Sequence, residues 1–256
     1  MTDQLTDPAE TTEAPVTEAA ANADPGDPTL AEVVTANANA ARVLEGFGLD
    51  YCCGGKRPLS EAATAAGVDP AEVRAAIAAA EPAATPEWAG LGPAALVDHL
   101  EATHHAYLHA ELPRLAALAA KVHEVHGARH PELAEVHRTF DALRLDLEPH
   151  LMKEEAVLFP MVRELAAASE APAFHCGSLQ NPIRVMEHDH DRAGELLEDL
   201  RRLTDGYTPP ADGCASYQAL YAGLAHLEAD THLHVHKENN VLFPAVVALE
   251  AEVAAR

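Results

Sequence analysis

Two stretches of the chain are near copies of each other: His150-Leu-Met-Lys-Glu154-Glu-Ala-Val-Leu-Phe-Pro160 and His234-Val-His-Lys-Glu238-Asn-Asn-Val-Leu-Phe-Pro244. Each copy sets a histidine four residues ahead of a glutamate, and side chains four apart share one face of a helix. An isolated His-x-x-x-Glu carries little weight among 16 histidines and 41 acidic residues; His137/Asp141 and His226/Asp230 have the same spacing. Duplication of the pair together with its flanks points instead to a pseudo-symmetric site assembled twice from one part, as a two-metal centre is.

The surrounding periodicity is helical. From residue 93 onward four long stretches read as helices, 93–126, 131–168, 182–204 and 214–254, separated at Gly127, 174–181 and 205–213. Leu96, Leu100, Leu108, Leu112 and Leu115 recur at helical spacing in the first, and Leu133, Val136, Phe140, Leu143 and Leu147 in the second. Nothing alternates with period two, so the fold class is all-α, an antiparallel four-helix bundle. Pro113, Pro149, Pro160 and Pro244 lie inside these helices; each removes a backbone donor and is expected to kink or end its helix, and Pro149 to affect the aim of His150.

A two-fold bundle requires the first and third helices to supply matching ligands. His105 lies 45 residues before His150, and His190 lies 44 before His234, so both hairpins return to one level. The expected metal set is therefore His105, His150, Glu154, His190, His234 and Glu238. Two glutamates can bridge two ions while the histidines complete each side, and such a bridged, carboxylate-containing bundle site fits iron best. Val157, Leu158, Val241 and Leu242 are expected to form an apolar floor, and Gly194 to leave room for a diatomic molecule. A rival set, Glu101-x-x-His104 and Glu187-x-x-His190 with Glu154 or Glu155 and Glu238, matches the Glu-x-x-His pattern of ferritin-like di-iron bundles but leaves His150 and His234 unused. The remaining histidines read as surface or supporting residues, with His188 and His236 on polar faces rather than acting as proton donors.

Ahead of the bundle, residues 1–28 hold seven acidic groups and no lysine or arginine, and read as a disordered acidic tail. Thr29-Leu-Ala-Glu32 has the form of a capping box starting a helix that runs through Val43 to Gly46/Gly48. A helix over 59–66 and a third opening at Asp69-Pro70 complete a small helical module over 29–82, with a linker over 83–92 and the bundle over 93–256. A formal charge of −24 excludes nucleic acid or an anionic membrane as the main partner. No apolar run of membrane length and no signal peptide occurs, so a cytoplasmic location is expected.

Between the first two module helices stands Asp50-Tyr-Cys-Cys-Gly-Gly55. Lys56 and Arg57 are expected to lower a thiolate pKa in the Cys52–Cys53 pair, and a bond between adjacent cysteines is strained and labile. Cys176 and Cys214 read as incidental.

Taken together, Asp50-Tyr-Cys-Cys-Gly-Gly-Lys56, the two His-x-x-x-Glu repeats, Glu187-His-Asp-His190-Asp-Arg-Ala-Gly194 and Leu203-Thr-Asp-Gly-Tyr-Thr-Pro-Pro-Ala-Asp-Gly-Cys214 resemble the iron–sulfur cluster repair di-iron proteins, the YtfE/ScdA-like group. The resemblance covers about residues 28–250. It implies a hemerythrin-like bundle with two non-haem irons, oxo- or hydroxo-bridged, held by the same six residues. His104 or His105 is the first-helix ligand. It further implies a stress-response role with damaged iron–sulfur proteins and nitric oxide or oxygen species as partners, through iron donation or nitric oxide reduction. Cys52 and Cys53 become redox or transfer candidates. The competing reading is a hemerythrin-like oxygen or nitric oxide sensor or carrier. A homodimer is compatible with the sequence, which does not decide the oligomeric state.

Overall fold

The fold was analysed in a computed structural model that describes residues 26–80 and 86–255. Residues 1–25 of the acidic tail, residues 81–85 across the junction of module and linker, and Arg256 lie outside the described residues. The module is built from α1 (Leu30–Ala36), α2 (Ala40–Gly46), α3 (Leu59–Ala65) and α4 (Pro70–Ala79). Thr29 and Glu32 form the capping box: the Thr29 hydroxyl accepts from Glu32 N at 3.2 Å and Glu32 accepts from Thr29 N at 2.8 Å. The single helix expected from 29 to 46 is two. Asn37 leaves the helical region at φ −148°, and its side-chain oxygen takes the amide of Asn39, a local bond that competes with the helical ladder. Asp69 caps α4 through Ala71 N at 2.8 Å, and Gly67, at φ +74°, supplies the left-handed residue that closes the preceding helix.

Asp27 and Pro28 belong to the module rather than to the tail. The Asp27 carboxylate accepts from Ser60 N and from Arg74, and the Pro28 carbonyl accepts from Leu59 N. Within the expected linker, a 3-10 turn at Glu87–Gly90 buries Trp88 against the ring of His236, 5.7 Å between centroids.

The bundle comprises α5 (93–126), α6 (133–167), α7 (Gln180–Leu203) and α8 (215–254), each packed on its two neighbours in a ring. Among the described residues no strand forms, and no helix is long and apolar enough to cross a membrane. Three of the four helices widen for one turn into π geometry: Glu101–His105 in α5, Glu154–Leu158 in α6 and Glu238–Leu242 in α8. Each widened turn carries a proposed ligand.

These turns explain why Pro160 and Pro244 do not end their helices. A proline ring strikes the carbonyl four residues back. For Pro160 and Pro244 that carbonyl belongs to Ala156 and Asn240, both inside widened turns, so the chain passes on as helix. Pro113 and Pro149 likewise sit within continuous helix.

Two apolar clusters fill the bundle. One gathers Leu108–Val122, Leu133–Leu151, Ala193–Leu200 and Tyr217–Leu227; the other gathers Leu96–Leu100, Leu158–Leu165, Ile183–Met186 and Leu242–Val253. On every helix the proposed ligands fall at the boundary between the two, so a polar layer is clamped between hydrophobic plugs.

Candidate metal centre

At that boundary all six side chains converge. His105, Glu154, His234 and Glu238 form one group of four donors, and His150, Glu154, His190 and Glu238 form another, each with its atoms within 4.8 Å of one another. Both glutamates are common to the two groups and are fully buried. Within the copies, His150 Nε2 lies 3.3 Å from Glu154 and His234 Nε2 lies 3.2 Å from Glu238, the one-turn spacing anticipated from the repeat. Between helices, His105 Nε2 lies 3.5 Å from Glu154 and His190 Nε2 lies 3.1 Å from Glu238. Thus each glutamate faces its own-helix histidine and that of its hairpin partner, whereas each donor group mixes the two hairpins. The pairing of histidines into groups could not be read from spacing.

Orientation comes from residues that were not expected, from the sequence, to aim the rings. His105 Nδ1 donates to Glu155 at 2.9 Å and His190 Nδ1 donates to Asn239 Oδ1 at 2.9 Å. Glu155 and Asn239 are the residues immediately after the two shared glutamates, so the repeat supplies both a donor to the site and an anchor for the partner helix's imidazole. His150 Nδ1 points to Asp189 at 3.4 Å. Each bond leaves Nε2 of its ring facing the cluster. The only earlier signal was a polar residue at the same place in both copies.

The apolar floor differs from expectation. Val157 is 40% exposed and Val241 half-buried, while Leu158 and Leu242 are buried. Widening of the turns rotates the valines outward and brings the phenylalanines in. Phe159 packs on His105 at 5.2 Å and Phe243 lies parallel to His190 at 6.1 Å.

The rival set does not assemble. Glu101 pairs with Arg163 at 2.5 Å, and Glu187 faces Lys56 at 3.9 Å. His104 donates to Asp230 at 2.9 Å and accepts from Lys237 at 2.7 Å, which leaves His105 as the neighbour that faces the cluster. His104 lies flat on His234, 5.2 Å between ring centroids. Lys237 is itself buried, reaches His99 at 2.9 Å and lies over Trp88; burial pushes its ammonium down to about 8.

Charge at the centre is unevenly shared. Burial, reinforced by the Glu238 charge, drives the Glu154 carboxyl well above the carboxylate range. Burial pushes Glu238 the same way, but the imidazoles of His234 and His190 outweigh it and hold that carboxylate well below its usual range. Burial lowers His150, and lowers His234 to about 4, so both rings stay neutral, the form that binds metal. Both oxygens of Glu154, Oε2 of Glu238 and Nε2 of His105 are buried without a hydrogen-bond partner. Carboxylate oxygens stripped of water and given no donor are costly. Cations shared between the two donor groups would satisfy all four atoms at once, so these residues fit a pair of metal ions.

The Asp50–Gly55 loop docks on the same region. Asp50 Oδ1 accepts from Cys52 N at 2.9 Å and Cys53 N at 3.0 Å, and Oδ2 accepts from Gly54 N at 2.8 Å. Asn240, inside the widened turn that begins at Glu238, donates to the Cys52 carbonyl at 2.8 Å and to the Tyr51 carbonyl at 3.3 Å. His236 is not on a polar face: it is fully buried, its Nδ1 3.4 Å from the Tyr51 carbonyl and its Nε2 3.3 Å from the Thr35 hydroxyl. Both cysteines are free, Cys52 buried and Cys53 half-buried. Lys56 and Arg57 do not activate them; they face Glu187 and Glu61. The Cys52 thiol is instead pushed up by its contact with Cys53, by burial and by the Asp50 charge. Gly194 lines a cavity under this loop whose walls include none of the six clustered residues. Cys214 is not isolated, since its sulfur lies 3.1 Å from His126 Nε2 at the far end of the bundle.

Two segments of the chain match known family models. Residues 96–246 match the hemerythrin HHE cation binding domain, and residues 26–81 match ScdA_N, a domain of unknown function. The iron–sulfur cluster repair protein YtfE of Enterobacter sp. (strain 638) is 36% identical over 225 residues, covering 88% of this chain and 98% of the relative. This chain belongs to the YtfE family. The YtfE of Musicola paradisiaca (strain Ech703) is 37% identical over 228 residues, covering 87% of this chain and 97% of its own, and that of Escherichia coli O157:H7 is 35% identical over 225 residues, covering 88% and 98%. The family match spans the whole of the six-residue cluster and the cysteine loop.

Proposed function

We propose that this protein repairs iron–sulfur clusters damaged by nitrosative or oxidative stress, through a di-iron centre held by His105, His150, Glu154, His190, His234 and Glu238. The observation that carries the reading is the pair of four-donor groups sharing two buried glutamates, with unpartnered oxygens directed into the shared space. When bound, a pair of irons held by these residues would supply one-electron redox chemistry and affinity for small diatomic ligands. The protein's part is to aim the rings, through Glu155, Asp189 and Asn239, and to exclude bulk water, through the apolar clusters on both sides.

Four imidazoles and two carboxylates make a binding set of modest charge, which suits a protein that must also surrender iron as cargo. Cys52 and Cys53 are the redox or transfer element beside it. Damaged iron–sulfur proteins are the clients, and the cytoplasm is the setting.

The decisive experiment is metal analysis with Mössbauer spectroscopy on protein purified without oxygen, followed by anaerobic addition of nitric oxide to the reduced form. Two irons per chain in a coupled site are expected, together with nitrous oxide release or transfer of iron to a cluster-free acceptor. Stoichiometric nitric oxide uptake, with neither product nor iron transfer, would replace repair by a sensor or carrier role.

A further inference from the structure

The cavity beneath the cysteine loop has a chemistry of its own. It encloses about 560 Å³ between the loop, α7 and α8. Besides Asp50, five carboxylates line it, those of Glu45, Asp191, Glu195, Glu198 and Glu228; Arg201 is the one guanidinium among the lining residues, and it is bound to Glu228. Such walls concentrate cations. Against them stand a carboxylate oxygen of Asp50 and the sulfurs of Cys52 and Cys53, three donor atoms within 4.8 Å of one another. Adjacent cysteines normally point apart. Here the Asp50 carboxylate gathers the amides of Cys52, Cys53 and Gly54 and turns the backbone so that both sulfurs stand beside its own oxygen.

We propose that Asp50, Cys52 and Cys53 form a third metal site, for a thiophilic divalent cation such as ferrous or zinc ion, separate from the histidine–glutamate centre. Two sulfurs and one carboxylate oxygen make a three-protein-ligand set that leaves a position open to water or to an incoming ligand. Binding forms two metal–sulfur bonds and one metal–oxygen bond. The two thiol protons leave to solvent, and no oxidation state changes. The Cys52 thiol already directs its proton at Asp50 Oδ1, 3.1 Å away, so the ion takes the proton's place between them.

Asp191 and Gly194, on the cavity wall, follow His190 on α7 by one residue and by one turn. The third site therefore opens beside the helix that carries a ligand of the centre, which places it to receive an ion in transit. That relay role rests on the proposed iron supply; the site itself does not.

The two kinds of site separate optically, because only the loop contributes sulfur. Reduced protein freed of metal is titrated anaerobically with cobalt(II). Three ions per chain are expected, one of them producing a near-ultraviolet thiolate-to-cobalt absorption. Cys53→Ser, at the half-buried position, should lose that band and one equivalent while keeping two; Cys52→Ser should do the same. Glu238→Leu should keep the band and lose the nitrogen- and oxygen-bound ions. A wild-type protein without the band at saturation, or a band that survives Cys53→Ser, overturns the third site. A band that stays while the other two equivalents are missing from wild type leaves the third site standing and sinks the proposed di-iron function instead.

Discussion

Asn239 Oδ1 lies 2.9 Å from His190 Nδ1, and this one contact sets which nitrogen of the ring carries the proton. An amide oxygen can only accept, so Nδ1 donates and Nε2 keeps its lone pair for the cluster. Asn239→Leu, which removes the acceptor without adding charge, should weaken metal binding by roughly 10- to 100-fold, and Asn239→Asp should retain it. Equilibrium competition against a chelator reads this directly.

Glu238 is the buried carboxylate that stays ionised. Glu238→Leu should abolish stable occupancy of both metal positions, since the residue belongs to both donor groups. The metal-free protein should also lose stability, by about 1–3 kcal/mol, because the His234 and His190 rings are left buried without the carboxylate they face. Metal analysis alongside denaturant unfolding of the apo-proteins tests the two halves together. An unchanged metal content alongside a loss of apo stability would mean that Glu238 serves packing rather than binding.

Removing metal should cost the native state an amount of stability that grows with the logarithm of the free metal concentration. At free metal 100-fold above its dissociation constant, one site contributes about 2.7 kcal/mol. A thermal midpoint that does not fall on chelation would contradict the fit of the unpartnered oxygens to bound cations.

Docking of the cysteine loop depends on a close approach at Gly55. A Cβ placed there would collide first with the Tyr51 carbonyl and would stand 2.7 Å from the Asn240 amide nitrogen. Gly55→Ala should therefore loosen the loop by about 1–3 kcal/mol, and Asn240→Ala should act in the same direction by exposing two backbone carbonyls. The measurement is the alkylation rate of Cys52, which is buried in the native protein; it should rise about tenfold for each 1.4 kcal/mol lost.

Much of the centre was legible because a helix repeats a face every four residues. The pairs His150/Glu154 and His234/Glu238 needed only that rule, and near-equal hairpin separations were enough to add His105 and His190. The widened turns were not legible. No residue type encodes a π turn, and their effect, turning Val157 outward and Phe159 and Phe243 inward, reverses what strict helical spacing gives. Glu155 and Asn239 were hidden for a related reason: on a regular helix a residue adjacent to a ligand points away from it. In the module, the break between α1 and α2 comes from a side chain competing with the backbone, Asn37 against the ladder, which hydrophobic periodicity does not register. His236 was misplaced because its neighbours, Tyr51 and Trp88, come from segments far away in the chain.

The widened turn at Glu238–Leu242 also resets the phase of everything after it. One additional residue per turn advances the helix by about 100°, so 243–254 presents its apolar stripe in a different frame from 215–237. A one-residue deletion inside that turn would keep every amino acid of the terminal helix and still swing Phe243 and Val246 off their contacts, so chain length at this point is as strictly specified as side-chain identity.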